Sequence, residues 1–264
     1  RRQRQMCIRD SYDAANLSQS LPVVMDHQPP KPRKSQHAQI VQDLGMHIVS
    51  GRFKPEERLP MEATLCEEYQ VSRSVLREAT RVLSAKGLVY SKPRVGAVVR
   101  PRVKWHLLDP DVLSWLMQST PHSEFFNTLA GVRRILEPEI AAMAATTATA
   151  EDIATIETAY RGMETAKTHD DLLQADLDFH RAIADATRND LLAYMCNMLS
   201  LPLRESINIT NRRPDIQGLS LPRHKAILTA IQNRDALGAR HASLVQLDDT
   251  RVALDTVMNE LTPL

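Results

Sequence analysis

"VSRSVLREATRVLSAKG" (residues 71–87), followed at once by "LVYSKPRVGAVVR" (88–100), decides the fold. Ser72 is a good helix N-cap, because its hydroxyl can accept from an orphan N–H of the first turn. Val75, Leu76, Ala79 and Leu83 recur at helical spacing and leave Arg73 and Arg77 together on the other side. Gly87 stops that helix, and two β-rich runs around Lys92–Gly96 predict a hairpin. Upstream, Ile40, Val41, Leu44, Ile48 and Val49 recur at helical spacing and Gly51 ends the run. "FKPEERLP" (53–60) reads as a turn segment and "MEATLCEEYQ" (61–70) as a short second helix. Three helices and a hairpin in that order make a winged helix-turn-helix.

The chain has 264 residues, 43% apolar and 25% charged, enough to bury a real core. With 8 glycines and 4% aromatic residues it disfavours a sheet-rich fold. A net charge of +1 hides an asymmetry. Residues 31–104 hold 15 Lys and Arg against 7 Asp and Glu, a net of +8; residues 105–264 hold 14 against 22, a net of −8. A polyanion partner is therefore expected for the first half only. No apolar run approaches the roughly 18 residues of a membrane span, so no membrane partner is expected. Cys7, Cys66 and Cys196 are odd in number and unrelated in spacing. They fit unreactive thiols in a reducing cytoplasm rather than a zinc motif.

Four segments follow. Residues 1–34 form a disordered arm with paired prolines and clustered bases, within which "RRQRQMCIRDS" (1–11) reads as a junction artefact. Residues 35–102 form the winged helix, and 103–120 a linker running into a short helix. Residues 121–260 carry helical patterns near 121–147, 150–167, 170–187, 189–209, 217–233 and 235–259. An antiparallel helical bundle is the economical fold there, so the whole chain is mostly α.

In a helix-turn-helix the second helix of the motif enters the major groove of double-stranded DNA, and its first turn reads base edges. Here Arg73 and Arg77 suit bidentate recognition of guanine. Ser72 and Ser74 can reach phosphates. The hairpin tip offers Lys92 and Arg94 to the backbone or minor groove, with Gly96 permitting close approach.

The stretch from "GRFKPEERLPMEATL" to "SKPRVGAVV" resembles the winged-helix signature of GntR-family bacterial transcription regulators. Two departures stand out. Met61 occupies a position where the family often has a capping Ser, and Ala63 one where it often has a base-contacting Arg. The second half resembles the all-helical FCD ligand-binding domain of the FadR-type branch, through "VRRILEPEIAAMAA", "DLDFHRAIADATRNDLL" and "RHKAILTAIQNRDALGARHASLVQ".

That resemblance implies a divalent cation held by one Asp and three His, beside an Arg that binds the carboxylate of a small acid. By position these are Asp176, His180 and His224 for the metal, and Arg133 for the carboxylate. Asp176 and His180, at i and i+4, can chelate from one helix, and their chemistry suits Zn, Ni or Mn. The fourth position is Gln246 where the branch has His. His241 lies about 500° round the helix from it and faces elsewhere. Two readings stay open: a metal site with Gln246 as a poor ligand, or a polar pocket in which His180, His224 and Gln246 bond ligand hydroxyls directly. The linker "LLDPDVLSWL" resembles that of sugar-acid-responsive members, so an aldonate effector is expected, with galactonate the leading candidate.

The function this resemblance implies is a homodimeric repressor on a palindromic operator, released by its acid effector; repression rests on the family and not on any residue of the sequence. One rival is a metal-dependent enzyme built on Asp176, His180 and His224, which lacks a base-and-nucleophile set. The other is a sequence-blind structural DNA binder, which salt-dependent binding without a preferred palindrome would favour.

Overall fold

The computed structural model describes residues 36–210 and 216–261. The expected arm lies outside them, as does Pro214, which as a residue without an N–H is expected to interrupt the helical pattern. α1 (Gln36–Val49), α2 (Glu62–Tyr69) and α3 (Arg73–Ala85) lead into the hairpin β1 (Val89–Lys92) and β2 (Gly96–Val99). The strands pair antiparallel with Val89 opposite Val99 and Lys92 opposite Gly96. The winged helix-turn-helix is thus present, and Ser72 caps α3 by accepting from the Val75 N–H. Met61 stands at the N-cap of α2 and makes no side-chain bond there, as its apolar side chain dictates.

Residues 53–60 are more than a turn. The Glu56 and Leu59 N–H groups donate to the Val99 and Ala97 carbonyls, both at 2.9 Å, and the Val99 N–H donates back to Glu57. Arg58 bridges Val98, so this segment lines the outer edge of β2. An unpaired edge needs partners for its backbone groups, and this stretch supplies them. The flanking prolines hide that role in the sequence.

After a 3₁₀ turn at Arg102–Lys104 come α4 (Pro110–Ser119), α5 (His122–Thr147), α6 (Ala150–Thr165) and α7 (His169–Asp185). α8 (Asp190–Met198), α9 (Ser200–Thr210), α10 (Ile216–Gln232) and α11 (Ala236–Leu261) complete the chain. The expected single helix over 189–209 is two. Pro202 has no N–H to give to Met198, and its ring would clash with that carbonyl, so the chain breaks at Leu199. Thr149 and Thr168 begin α6 and α7 with capping boxes closed by Asp152 and Asp171.

The apolar residues form two clusters. One, built on Ile140, Ile156, Met163, Phe179, Ile183, Leu228 and Ile231, fills the bundle. The other fills the winged helix and includes Trp105, Val112, Trp115 and Leu116 from beyond it. α4 is therefore seated in the winged-helix core. Trp115 is 1% exposed, and a Cβ on Gly45 of α1 would collide with its indole ring. A glycine inside a helix costs about 1 kcal/mol relative to alanine; here it lets an indole lie on the α1 backbone. Lys86, at the end of α3, reaches Asp109 at 2.9 Å and Asp111 at 2.7 Å at the start of α4. Gly45→Ala is expected to push Trp115 out of its seat at a cost of about 1–3 kcal/mol. Thermal unfolding should show a Tm several degrees lower; an unchanged Tm would mean that α4 is not keyed into α1 in this way.

Candidate functional site

Two regions carry chemistry. The first is a surface groove between the α2–α3 pair and the wing. Arg73, the first residue of α3, Arg77 one turn on, and Arg94 of the wing tip all line it. Two arginines that sequence reasoning passed over, Arg58 and Arg81, line it as well. Their signal was there: Arg81 follows Arg77 at i+4, while Arg58 is delivered only by the edge pairing with β2. Arg77 Nε donates to Glu62 Oε2 at 3.2 Å, an exposed pair worth no more than about 1 kcal/mol, so phosphate or guanine can displace it. The Ser72 and Ser74 hydroxyls bond each other at 2.8 Å, outside the apolar face of α3. Lys92 ends β1, exposed, beside the groove rather than in its lining.

The wing tip is tightly shaped. The Val95 N–H donates to the Lys92 carbonyl at 3.1 Å, Pro93 fixes the second position, and Arg94 takes a left-handed φ of 63°. Asn or Gly ordinarily fill that third position of a type II turn. Gly96 has φ 102°, and a Cβ there would meet only Arg58, its Nε at 3.8 Å. Backbone conformation by itself calls for glycine there, since L side chains rarely adopt this φ.

The second region lies inside the bundle. Asp176 and His180 come from α7, His224 from α10 and Gln246 from α11, while α5 supplies Arg133. Structure thus brings together every residue expected here. His180 Nε2 and His224 Nε2 stand 3.3 and 3.5 Å from Asp176 Oδ1. Ligand atoms of the three residues all lie within 4.8 Å of one another. These three atoms and Gln246 Oε1 are buried without a hydrogen bond of good geometry. Exposed His241 has no part in it.

The outer nitrogens fix the tautomers. His224 Nδ1 lies 2.9 Å from the Ser220 carbonyl, which can only accept, so Nδ1 carries the proton. His180 Nδ1 faces the Glu137 carboxylate at 3.5 Å and is protonated for the same reason. Both Nε2 atoms then face Asp176, placed so that each could give a lone pair to a cation held there. Donors about 2.1 Å from a tetrahedral ion stand about 3.4 Å apart, close to the two separations found. Burial opposes ionisation of Asp176, but the histidines, His224 foremost, hold its carboxyl well below the usual range. Burial likewise pulls His224 down, and Asp176 outweighs it and raises its pKa. The residues fit a divalent cation. Asp176, His180 and His224 would hold it, with Glu137 and Ser220 orienting the imidazoles.

Sequence reasoning missed Glu137, although R-x-x-x-E on one helix face was legible. Arg133, 5% exposed, donates through Nε to Glu137 Oε1 at 2.6 Å and through Nη2 to Oε2 at 3.3 Å. Burial works against the Glu137 carboxylate, yet Arg133 and then His180 keep its pKa below the ordinary value. Arg133 borders three cavities, two of which also take in residues of the polar cluster. One, of about 310 Å³, is walled largely by apolar side chains such as Leu129, Leu136, Ile140 and Ile183, and reaches His180. The other is a small polar chamber that Asp176 and Gln246 share with Thr210, Ser220, Arg223 and Thr250. Gln246 Nε2 donates to Thr250 at 3.3 Å, which leaves its carbonyl oxygen free. Cys196, at the edge of the larger cavity, is pushed up to about 11, by burial first and then by Glu137 and Asp185, so it stays a thiol.

A winged helix with an arginine-lined groove, joined to a helical bundle with a buried polar cluster, defines a DNA-binding regulator with a ligand-receiving domain. Residues 36–99 match the bacterial regulatory proteins of the gntR family, and residues 128–249 match the FCD domain. The chain belongs to the gntR family of transcription regulators, in its FCD-bearing branch.

It is 35% identical over 211 residues to the galactonate operon transcriptional repressor of Escherichia coli K12, across 79% of this chain and 92% of that protein. It is 31% identical to the Uxu operon regulator of Haemophilus influenzae, covering 83% of this chain and 81% of the relative. To the regulator LutR of Bacillus subtilis it is 30% identical, covering 81% and 98%. Lar, which controls the expression of the Listeria monocytogenes agr system, shares the fold: TM-score 0.57 at 19% identity, over 86% of this chain and 99% of Lar. Among the described residues no helix is long and apolar enough to cross a membrane.

If the buried cluster takes a cation, Zn²⁺ or Ni²⁺ at a hundred times its Kd should stabilise the fold by about 2.7 kcal/mol. Asp176→Asn should abolish that gain in a thermal melt. A gain that survives in the variant would place the ion elsewhere.

Proposed function

We propose that this chain is a cytoplasmic, homodimeric repressor of an operon for sugar-acid catabolism, with D-galactonate the first candidate effector. The observation that carries the reading is the guanidinium of Arg133, set at the junction of a cavity and a polar chamber that also holds Asp176 and Gln246, with His224 beside it. Arg is suited to a carboxylate, while Thr210, Ser220, Thr250 and Gln246 are suited to hydroxyls. A cavity of about 310 Å³ falls within the ~300–1,000 Å³ typical of small-molecule sites. The named relatives that regulate galactonate and Uxu operons point to the same ligand class. Zn, Ni or Mn at Asp176, His180 and His224 would supply a Lewis-acidic anchor for the acid, with the Gln246 amide a weak fourth donor. On this reading the cluster serves binding, and the raised Cys196 thiol beside it is not poised as a nucleophile.

Under this reading Arg73 and Arg77 read base edges. Ser72, Ser74, Lys92 and Arg94 hold the phosphate backbone, and Gly96 shapes the wing. Two copies would match a palindrome. The dimer face proposed is the outer side of α5 and α11, whose packing is tied by Arg134 to Asp248 and by Arg240 to Glu139. Val132, Ile135 and Met143 run along one helix there, and Leu237, Val245 and Val252 along the other, all exposed. These four flanking charges are already paired within the chain, so a second copy meets none of them uncompensated. To induce, the acid must bind the DNA-free conformation better than the DNA-bound one; tight binding alone shifts nothing.

Three measurements test this. In a gel-shift titration Arg77→Ala should lose specific operator binding by tenfold or more, each bidentate base contact being worth about 1–3 kcal/mol. Arg133→Ala should keep operator binding and no longer release it with D-galactonate. Unchanged affinity in the first, or release in the second, would remove those assignments. Ile135→Asp should convert the dimer to monomer in light scattering, and a dimer that persists would place the interface on another face.

A further inference from the structure

We infer that Arg58 is a phosphate-gripping residue of the DNA interface, set at the base of the wing to hold the DNA strand that runs between the wing and α3. This rests on the reading of α3 as the helix that enters the major groove.

Tertiary pairing puts Arg58 there. It belongs to the segment beside the outer edge of β2 and bridges Val98. The Glu56 and Leu59 N–H groups on either side of it donate to Val99 and Ala97 at 2.9 Å, so its backbone is fixed. Its neighbour Leu59 is 2% exposed and turns into the winged-helix core, while Arg58, on the opposite face, is exposed. From its place opposite Val98 the side chain leans toward Gly96, two residues earlier on the same face of β2. Its Nε lies 3.8 Å and its Nη2 4.0 Å from where a Cβ on Gly96 would stand. The guanidinium thus lies over the base of the wing, in the wall of the groove it shares with Arg73, Arg77 and Arg94.

The shape of duplex DNA gives that groove an occupant. With α3 in the major groove and the wing tip at the neighbouring minor groove, the sugar-phosphate strand that divides the two has to pass between them. The concavity between α3 and the wing is where it passes. Ala63 of α2 offers only a methyl group to the same wall, which leaves room for a strand.

The charges favour the same role. Arg77 is met by Glu62 at 3.2 Å and Arg81 by Glu78 at 3.1 Å. Among the described residues no carboxylate is within ion-pair distance of Arg58. The acid next to it, Glu57, accepts instead from the Lys54 N–H at 2.8 Å. Arg58 therefore has no partner to give up before its planar fork takes a phosphate. A phosphate contact adds affinity and register without reading sequence, which divides the labour between Arg58 and the arginines of α3.

The experiment is fluorescence anisotropy of the full chain on two labelled duplexes across a salt series. One duplex is selected by the wild-type protein from a random-sequence pool, and the other has the same bases scrambled. Arg58→Gln, which keeps much of the stem and removes the charge, should weaken both duplexes about three- to tenfold near physiological salt. It should also make the slope of log affinity against log salt shallower by about 0.9 and leave the ratio between the duplexes unchanged. Arg58→Lys should restore the slope and most of the affinity. Packing at the edge of β2 has no reason to move a salt slope, so that readout separates contact from structure. Unchanged affinity and slope in Arg58→Gln overturn the inference, as does an Arg58→Lys protein that behaves like Arg58→Gln. A fall in the ratio between the duplexes overturns it too, since Arg58 would then be reading bases. Arg77→Ala, measured alongside, should collapse that ratio. If it does not, the recognition-helix reading fails, and the salt slope of Arg58→Gln on the scrambled duplex still decides whether Arg58 touches phosphate.

Discussion

An ionised carboxylate inside a helical bundle is disfavoured by several kcal/mol unless positive charge or hydrogen-bond donors meet it there. Asp176 is such a group, 5% exposed and surrounded by helices. Much of the second half of the molecule answers to it. α7 supplies His180 one turn along, α10 supplies His224, and α5 brings Arg133 with Glu137. Each of the two histidines is held by its outer nitrogen so that the inner one faces the aspartate. The bundle core that surrounds the cluster is built from Phe179, Ile183, Ile227 and Leu228 on the same helices, so the polar centre and the apolar packing cannot be separated. A bundle stabilised by packing alone would do better with an apolar residue at 176, so the cost marks a site.

The two halves are joined by packed pieces. α9 contributes Leu201, Leu203 and Arg204 to the wall of the larger cavity and packs against α4. α4 is set into the winged-helix core by Trp115 on the α1 backbone. Lys86, partly buried, ties the end of α3 to Asp109 and Asp111. Burial alone would lower its pKa, but the two carboxylates outweigh that and raise it. A displacement of α9 therefore has a continuous physical route to the helix that carries Arg73 and Arg77.

Legibility varied with the kind of information. Helix ends were readable at several capped positions: Ser72 accepts at the start of α3 as its chemistry predicts, and Thr149 and Asn189 open α6 and α8 beside the expected starts at 150 and 189. The break at Leu199 was half legible: Pro202, with no N–H to give, marks an interruption, but the apolar pattern runs on through it, so 189–209 reads as one segment. The segment at 53–60 is the turn its sequence suggests, but its pairing with the edge of β2 was not legible, because no local pattern records a partner distant in the chain. In the site, Asp176, His180, His224, Gln246 and Arg133 were found through resemblance and spacing. Thr210, Ser220, Arg223 and Thr250 were not, since single hydroxyls and a charged residue on helices carry no pattern of their own.

The sequence by itself determined the order of the helices and the hairpin, the basic first half, and the identity of the residues that can bind a cation or an acid. Those are properties of residue type and of periodicity along one element. The tertiary structure alone decided how they are paired: that Glu137 takes the charge of Arg133, that both imidazoles turn toward Asp176, and that Trp115 belongs to the winged helix rather than to a free linker. The reason is physical. A helix wheel says which side chains share a face, but the charge state and partners of a buried group depend on what the neighbouring helices bring within about 4 Å of it.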